Sequence, residues 1–353
     1  MQITDAEVTP VELDLRQPMA IAGHPPITRA TAIFVHLVTR QGRDAWGCTA
    51  LAPGLTQDDP EEVIEACQRC ADLVPDLHPT HIGYSLGELV PLTEGVPAAL
   101  CAFDLAFHDL LGLAAGMPLY RLLGGYRNSI QSSATVGTGP VEETVKRAKA
   151  RAARGFRILK IKGGVDPDED VHRVRAVHRA LPGLTLRLDA DGGYTTRQAL
   201  DVIHALEDVL EMIEQPTPPE NIDALQQVTR RSGVPVLADQ SVTGPSSALT
   251  LANRHAADGL SIKMATCGGV QCVRQVDAIA HAAHLTTMIG CVVEPAMLTA
   301  AGLHVALSSP SVEYGDLDGF LDLVDDPTVK GFSLEDGWLT VSETPGLGCV
   351  VEL

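Results

Sequence analysis

Basic residues are scarce in this chain of 353. Lysine and arginine number 26 against 45 aspartates and glutamates, a formal charge of −19. So acidic a surface argues against partnership with nucleic acid or with anionic membranes, and leaves a small-molecule substrate as the expected partner. Long apolar runs are missing as well. None approaches the roughly 18 consecutive residues that a bilayer-spanning helix needs. The opening MQITDAEVTPVELDL has no basic stretch followed by an apolar one, so no secretory signal is visible and a cytoplasmic location is expected. The eight cysteines are scattered: Cys48, Cys67, Cys70, Cys101, Cys267, Cys272, Cys291 and Cys349. Only Cys67 and Cys70 have CxxC spacing. They sit in a helical pattern, EEVIEACQRCADLV, with no second pair to complete a zinc site. A reducing compartment fits that usage. No GxGxxG follows the first strand of the α/β region, which argues against a dinucleotide-binding fold.

What is present is an ordinary globular composition, 45% hydrophobic and 20% charged, in a chain long enough for two domains. Residues 1–125 read as α+β. ITDAEVTPVEL, TAIFVHLVT and GRDAWGCTAL suggest an antiparallel meander, and two helical patterns follow, PEEVIEACQRCADLV and VPAALCAFDLAFHDLLGLAAG. From about 126 to 330 short apolar strands alternate with helices. The expected strands are 130–136, 158–161, 185–189, 212–214, 236–239, 260–263, 286–289 and 312–316. Eight such strands in about 200 residues favour a closed parallel α/β barrel. The glycine pairs at 163–164, 192–193 and 268–269 fall just past strands and are read as loop geometry. The tail, 331–353, reads as short strands returning to the first domain.

The strand ends carry the chemistry, because a barrel's active site lies at the carboxyl ends of its strands. Five consecutive strands each deliver charge to that rim. Lys160 and Lys162 end the second, Asp189 the third, Glu214 the fourth, Asp239 the fifth and Lys263 the sixth. Three carboxylates on adjacent strands repel one another unless a cation lies among them. Oxygen ligands without histidine or cysteine select a hard ion, magnesium before manganese. Lys160 and Lys162, two apart on one strand, point the same way, and Lys263 faces them across the mouth. A substrate held on the metal would have a lysine on each face. The like charge of Lys160 is expected to lower the Lys162 pKa and suit it to act as a base.

In order and spacing, KIK, LDAD, IEQP, ADQS and IKMATCGG resemble the motifs of the enolase superfamily, in its muconate-lactonizing subgroup. The resemblance extends over nearly the whole chain. It implies a (β/α)7β TIM-like barrel, with a capping domain made from the N-terminal region and the C-terminal tail. It also implies one Mg2+ per subunit on Asp189, Glu214 and Asp239, and proton abstraction next to a carboxylate by Lys162 and Lys263, with Lys160 on the substrate. Lysine bases combined with magnesium are characteristic of that superfamily. GDLDG, with Asp316 and Asp318, is similar to the DxD of dipeptide epimerases of the L-Ala-D/L-Glu type. Two carboxylates at i and i+2 can hold a dipeptide's free ammonium. MIGCVVEP (288–295) is also similar to that group and adds Met288 and Glu294 as expected substrate contacts. His24, in the loop 18–29, is a candidate contact to a substrate side chain. Two positions depart from the family. Asp191 stands where it usually has Asn and Gln240 where it usually has Glu, so metal affinity or the Lys263 pKa is expected to differ. Dipeptide epimerisation is the leading expectation. An o-succinylbenzoate synthase, an N-succinylamino acid racemase or a muconate cycloisomerase-like lyase on the same scaffold is the alternative, and a retired, non-catalytic barrel is a third. A homo-oligomer is expected.

Overall fold

The computed structural model describes residues 1–56 and 58–353. The chain opens with an antiparallel sheet in the order β1 (Ile3–Met19), β2 (Ile27–Thr39), β3 (Asp44–Leu51). The run IFVHL in β2 is apolar on both faces because both faces are covered. Ile33, Val35 and Leu37 pack with Phe103 and Phe107 in the capping core. Ala32 and Phe34, one residue out of step, belong to the core shared with the barrel. Helices α1 (Pro60–Leu73), α2 (Ile82–Leu89) and α3 (Pro97–Ala115) cover the sheet, and α4 (Leu119–Leu122) leads out. Cys67 and Cys70 are buried on α1, packed into the apolar core. α3 is long and apolar enough to cross a membrane by composition alone, but it is mostly buried within the fold. Its close approach to β3 needs Gly47, where a Cβ would overlap the Ala102 carbonyl oxygen.

The parallel strands follow as β5 (Ala134–Val136), β6 (Ile158–Lys162), β7 (Thr185–Asp189), β8 (Leu210–Glu214), β9 (Val236–Ala238), β10 (Gly259–Lys263), β11 (Thr286–Gly290) and β12 (Val312–Gly315), paired in sequence order. Between them run α5 (Val141–Ala153), α6 (Pro167–Ala180), α7 (Thr196–Leu206), α8 (Ile222–Thr229), α9 (Pro245–Arg254), the short α10 (Met264–Cys267) with α11 (Val270–Ala282), and α12 (Ala296–Ser308). This is (β/α)7β. The curled sheet closes through the Ser132–Gly315 bridge and the bond from Ser133 N to Gly315 O. Helix starts are legible: Asp59 and Asp166 cap α1 and α6 just ahead of a proline, and Thr195 with Gln198 forms a capping box on α7.

The expected strand 130–136 is in fact two. β4 (Ser129–Gln131) leaves the barrel, and β5 begins only at Ala134. Two serines make the break. The Ser132 hydroxyl accepts from Leu317 N and the Ser133 hydroxyl donates to Asp316, side-chain bonds where a ladder would otherwise run. The tail forms short strands and returns to the first domain, as expected, but its strands do not join the capping sheet. β13 (Thr328–Val329) pairs with β16 (Val350–Val351), while β14 (Phe332–Glu335) and β15 (Trp338–Val341) form a hairpin on β4. The tail therefore meets the capping domain through single contacts rather than through its sheet. Leu347 N donates to Asp109 on α3, and Leu119 N donates to Gly346 O. The glycine pairs do serve loop geometry: a Cβ on Gly193 would overlap the Gly164 carbonyl.

Candidate active site

β6 reads ILKIK, so Leu159 and Ile161 face the helices while Lys160 and Lys162 enter the barrel, 3% and 4% exposed. Ammonium groups that deeply buried require counter-charges. Lys160 pairs with Asp316 and lies 3.2 Å from Asp189 and 3.4 Å from Glu214. Lys162 Nζ donates to Asp189 Oδ2 at 2.8 Å and to both oxygens of Asp191 at 2.8 and 2.9 Å. Lys263 arrives on β10 and donates to Asp239 Oδ2 at 2.6 Å. The barrel thus brings together the lysines and carboxylates that the strand ends predicted.

Asp189, Glu214 and Asp239 each offer an oxygen within 4.8 Å of the others. Both Glu214 oxygens are buried without a hydrogen-bond partner among the described residues. Burial and the neighbouring Asp189 push its carboxyl up to about 8. A buried acid with two idle oxygens, flanked by two more carboxylates, is what a hard divalent ion would satisfy, so the donor set fits magnesium. Burial opposes charge on Asp189, yet Lys162 and Lys160 hold it below the usual carboxylate range.

The expected direction for Lys162 is corrected. Burial and Lys160 do press its pKa downward, but Asp189 and Asp191 outweigh them and the net shift is upward. Asp191 itself, in a left-handed backbone conformation (φ 45°), also accepts from Gln240 Nε2 at 3.1 Å. The two departures from the family are therefore one hydrogen-bonded unit, with its carboxylate on the Lys162 side.

The five expected substrate contacts beyond Lys160 fare differently from one another. Asp316 is buried and engaged by Lys160 and by the Ser133 hydroxyl at 2.5 Å. Asp318 accepts from Thr135 N at 2.6 Å and from its hydroxyl at 3.1 Å, and lines the mouth with Leu15, Met19, Leu55 and Cys291. Of the two carboxylates expected to hold an ammonium, Asp316 is already paired with the Lys160 ammonium. Met288 lies a layer below the mouth, in the barrel floor with Met212, Leu237 and Tyr314 and beside Arg187. Its side chain is fully buried there. Glu294 is buried beneath the loop after β11, accepting from Val292 N at 3.2 Å and the Thr299 hydroxyl at 3.0 Å, so it braces the loop. His24 is exposed in a turn, and its ring packs over Gly54 of the loop after β3, outside the lining of the mouth.

Sequence reasoning missed Ser133 and Thr135, which orient the two aspartates just after β12, and Gln215. The Gln215 side chain accepts from Asp239 N at 2.8 Å and Ser241 N at 3.2 Å, fixing the loop that carries a carboxylate of the triad. The signal for Gln215 was its place directly after Glu214 in IEQP.

Burial pushes the Glu294 carboxyl up to about 8. In the unfolded chain it titrates near 4.5. Between those values the folded protein keeps a proton that the unfolded chain gives up. This group's contribution therefore falls as pH rises through that window, by at most about 1.4 kcal/mol per pH unit. Glu294→Gln keeps the shape, with its amide donating to Thr299 and its oxygen accepting from Val292. The variant should be less sensitive than wild type to raising the pH from 5 to 9 in urea unfolding. Parallel pH profiles for the two would remove this assignment.

Residues 143–352 match the family described as enolase C-terminal domain-like. Over 99% of both chains the protein is 35% identical to the L-Lys-D/L-Arg epimerase of Methylococcus capsulatus. It is 32% identical to muconate cycloisomerase 1 of Rhodococcus opacus, over 99% of this chain and 95% of that one. In structure it superposes with a TM-score of 0.96, at 30% identity and 99% coverage of each chain, on the dipeptide epimerase of Enterococcus faecalis complexed with Mg and the dipeptide L-Leu-L-Tyr. The barrel, the buried acidic triad and these matches agree, and the chain belongs to the enolase superfamily.

Proposed function

We propose that the protein is a magnesium-dependent dipeptide epimerase, an isomerase that inverts the α-carbon of the C-terminal residue. The observation that carries this reading is the pair of buried lysines, Lys162 on β6 and Lys263 on β10, either side of the carboxylate triad. One lysine removes the α-proton from one face and the other returns a proton to the opposite face. Reversing their roles inverts the other epimer. Asp189, Glu214 and Asp239 would hold Mg2+, which would supply positive charge against the second negative charge that develops on the substrate carboxylate. Lys160 adds a fixed ammonium on the same side. The cap residues Leu15, Met19 and Leu55 line the mouth with apolar surface, which lowers the water content around these charges and strengthens each interaction. Both the magnesium and the dipeptide agree with the structural relative, which was captured with each. A lyase would have no use for a carboxylate aimed at an ammonium.

The substrate's free amino terminus is read from Asp318. Burial and the neighbouring Asp316 raise its pKa, so it gains from an approaching cation. Asp318→Asn is expected to raise KM for a dipeptide by roughly ten- to a hundredfold, the worth of one charge-assisted hydrogen bond. Comparing a dipeptide with its N-acetyl form on both proteins checks this. Wild type should prefer the free amine and the variant should lose most of that preference. Equal turnover of both forms by wild type would return an N-acylamino acid racemase to first place.

A further inference from the structure

A second cavity of about 240 Å3 adjoins the mouth on the side away from Asp318. It shares Leu55 and Lys263 with the mouth, and Asp58 and Thr266 are among its other lining residues. Its size suits one side chain rather than a whole substrate. Resting on the dipeptide reading, the placement assigns the substituents of the reacting carbon. Its hydrogen lies toward a lysine, its carboxylate toward the triad and its amide nitrogen toward Asp318. The fourth substituent, the side chain, is left with the opening beside Lys263.

The chemistry of that opening is one-signed. Lys263 is neutralised by Asp239 at 2.6 Å and repels little. Asp58, half-buried between β3 and α1, receives a long backbone hydrogen bond from Ala98 at 3.4 Å and takes part in no ion pair among the described residues. Burial and the nearby Glu62 both disfavour its charge, so a cation placed there would be bound by a carboxylate without a competing partner. The remaining polar groups of the lining include the neutral hydroxyls of Thr56, Thr243 and Thr266. The net charge of −19 concentrates cationic substrates at the surface.

We propose that this chamber takes the side chain of the residue undergoing inversion, and that Asp58 selects side chains ending in a cation, as in lysine and arginine. The test is α-proton exchange in heavy water, followed by NMR, on magnesium-loaded protein with L-Ala-L-Xaa dipeptides in which Xaa is Arg, Lys, Leu or Glu. Arg and Lys should exceed Leu by at least tenfold in kcat/KM, with Glu lowest. Asp58→Asn should shrink the Arg-to-Leu ratio by roughly ten- to a hundredfold, mainly through KM. Asp58→Lys should move the preference toward Glu. Wild type turning over Ala-Leu or Ala-Glu as well as Ala-Arg would overturn the proposal, as would an unchanged ratio in Asp58→Asn. Exchange with none of the four dipeptides would instead strike the dipeptide reading on which this inference rests.

Discussion

Replacing either Lys162 or Lys263 by alanine should end interconversion of the two epimers, a loss of at least roughly 10²–10⁴-fold. The reason is geometric. The two side chains reach the mouth from the second and sixth barrel strands, and each is buried against its own carboxylate. Neither can cover the other's face of the substrate. Inversion needs a proton removed on one side and delivered on the other, so one missing lysine stops it. Exchange without inversion needs only one. Each variant should therefore still wash deuterium into one epimer, the one whose α-hydrogen faces the surviving lysine, and the two variants should choose opposite epimers. Heavy-water NMR on separate L,L and L,D substrates reads this directly. A variant that interconverts epimers near the wild-type rate would mean the bases are elsewhere. If both variants exchanged the same epimer, the two lysines would not lie on opposite faces.

The charged residues of this site were legible in sequence because strand alternation turns residue number into direction. Lys160 and Lys162 point inward because Leu159 and Ile161 must point outward. That logic weakens where distance matters. Asp191 lies past the end of β7, and nothing in its position reveals that both its oxygens reach Lys162. The sign of the Lys162 shift was hidden with it. Alternation also places Met288 inside the barrel without saying at which layer, and the floor, not the mouth, is where it packs. Glu294 lies beyond β11, where period-two reasoning no longer applies. The split of 130–136 was hidden because Ser132 and Ser133 are compatible with a strand until their hydroxyls find Leu317 and Asp316, more than 180 residues away. The Asp58 chamber brings the cap beside Lys263, from segments about 200 residues apart, and no local pattern could announce it.

Removing the metal should abolish activity, and adding Mg2+ should restore it. Among the described residues, the carboxylates of Asp189, Asp191, Glu214, Asp239, Asp316 and Asp318 outnumber the ammonium groups of Lys160, Lys162 and Lys263 that they face. The surplus is concentrated where Glu214 has two buried oxygens without hydrogen-bond partners among the described residues. The metal-free protein eases that surplus by holding a proton on Glu214, whose carboxyl titrates near 8 instead of near 4.5. An ion entering the triad displaces that proton. Magnesium binding at pH 7 should therefore release close to one proton, and affinity should climb as pH rises toward 8 and then level off. Calorimetry in two buffers of different ionisation enthalpy measures the release. Magnesium at about a hundred times its Kd should also stabilise the folded protein by about 2.7 kcal/mol, visible as a higher Tm. Glu214→Gln removes the titrating group without changing its size. It should fold, bind magnesium more weakly, release little proton on binding and fail to epimerise. Full activity in a preparation shown to be metal-free would sink the metal assignment. Magnesium binding with no proton release at pH 7 would show instead that Glu214 is already ionised in the empty site.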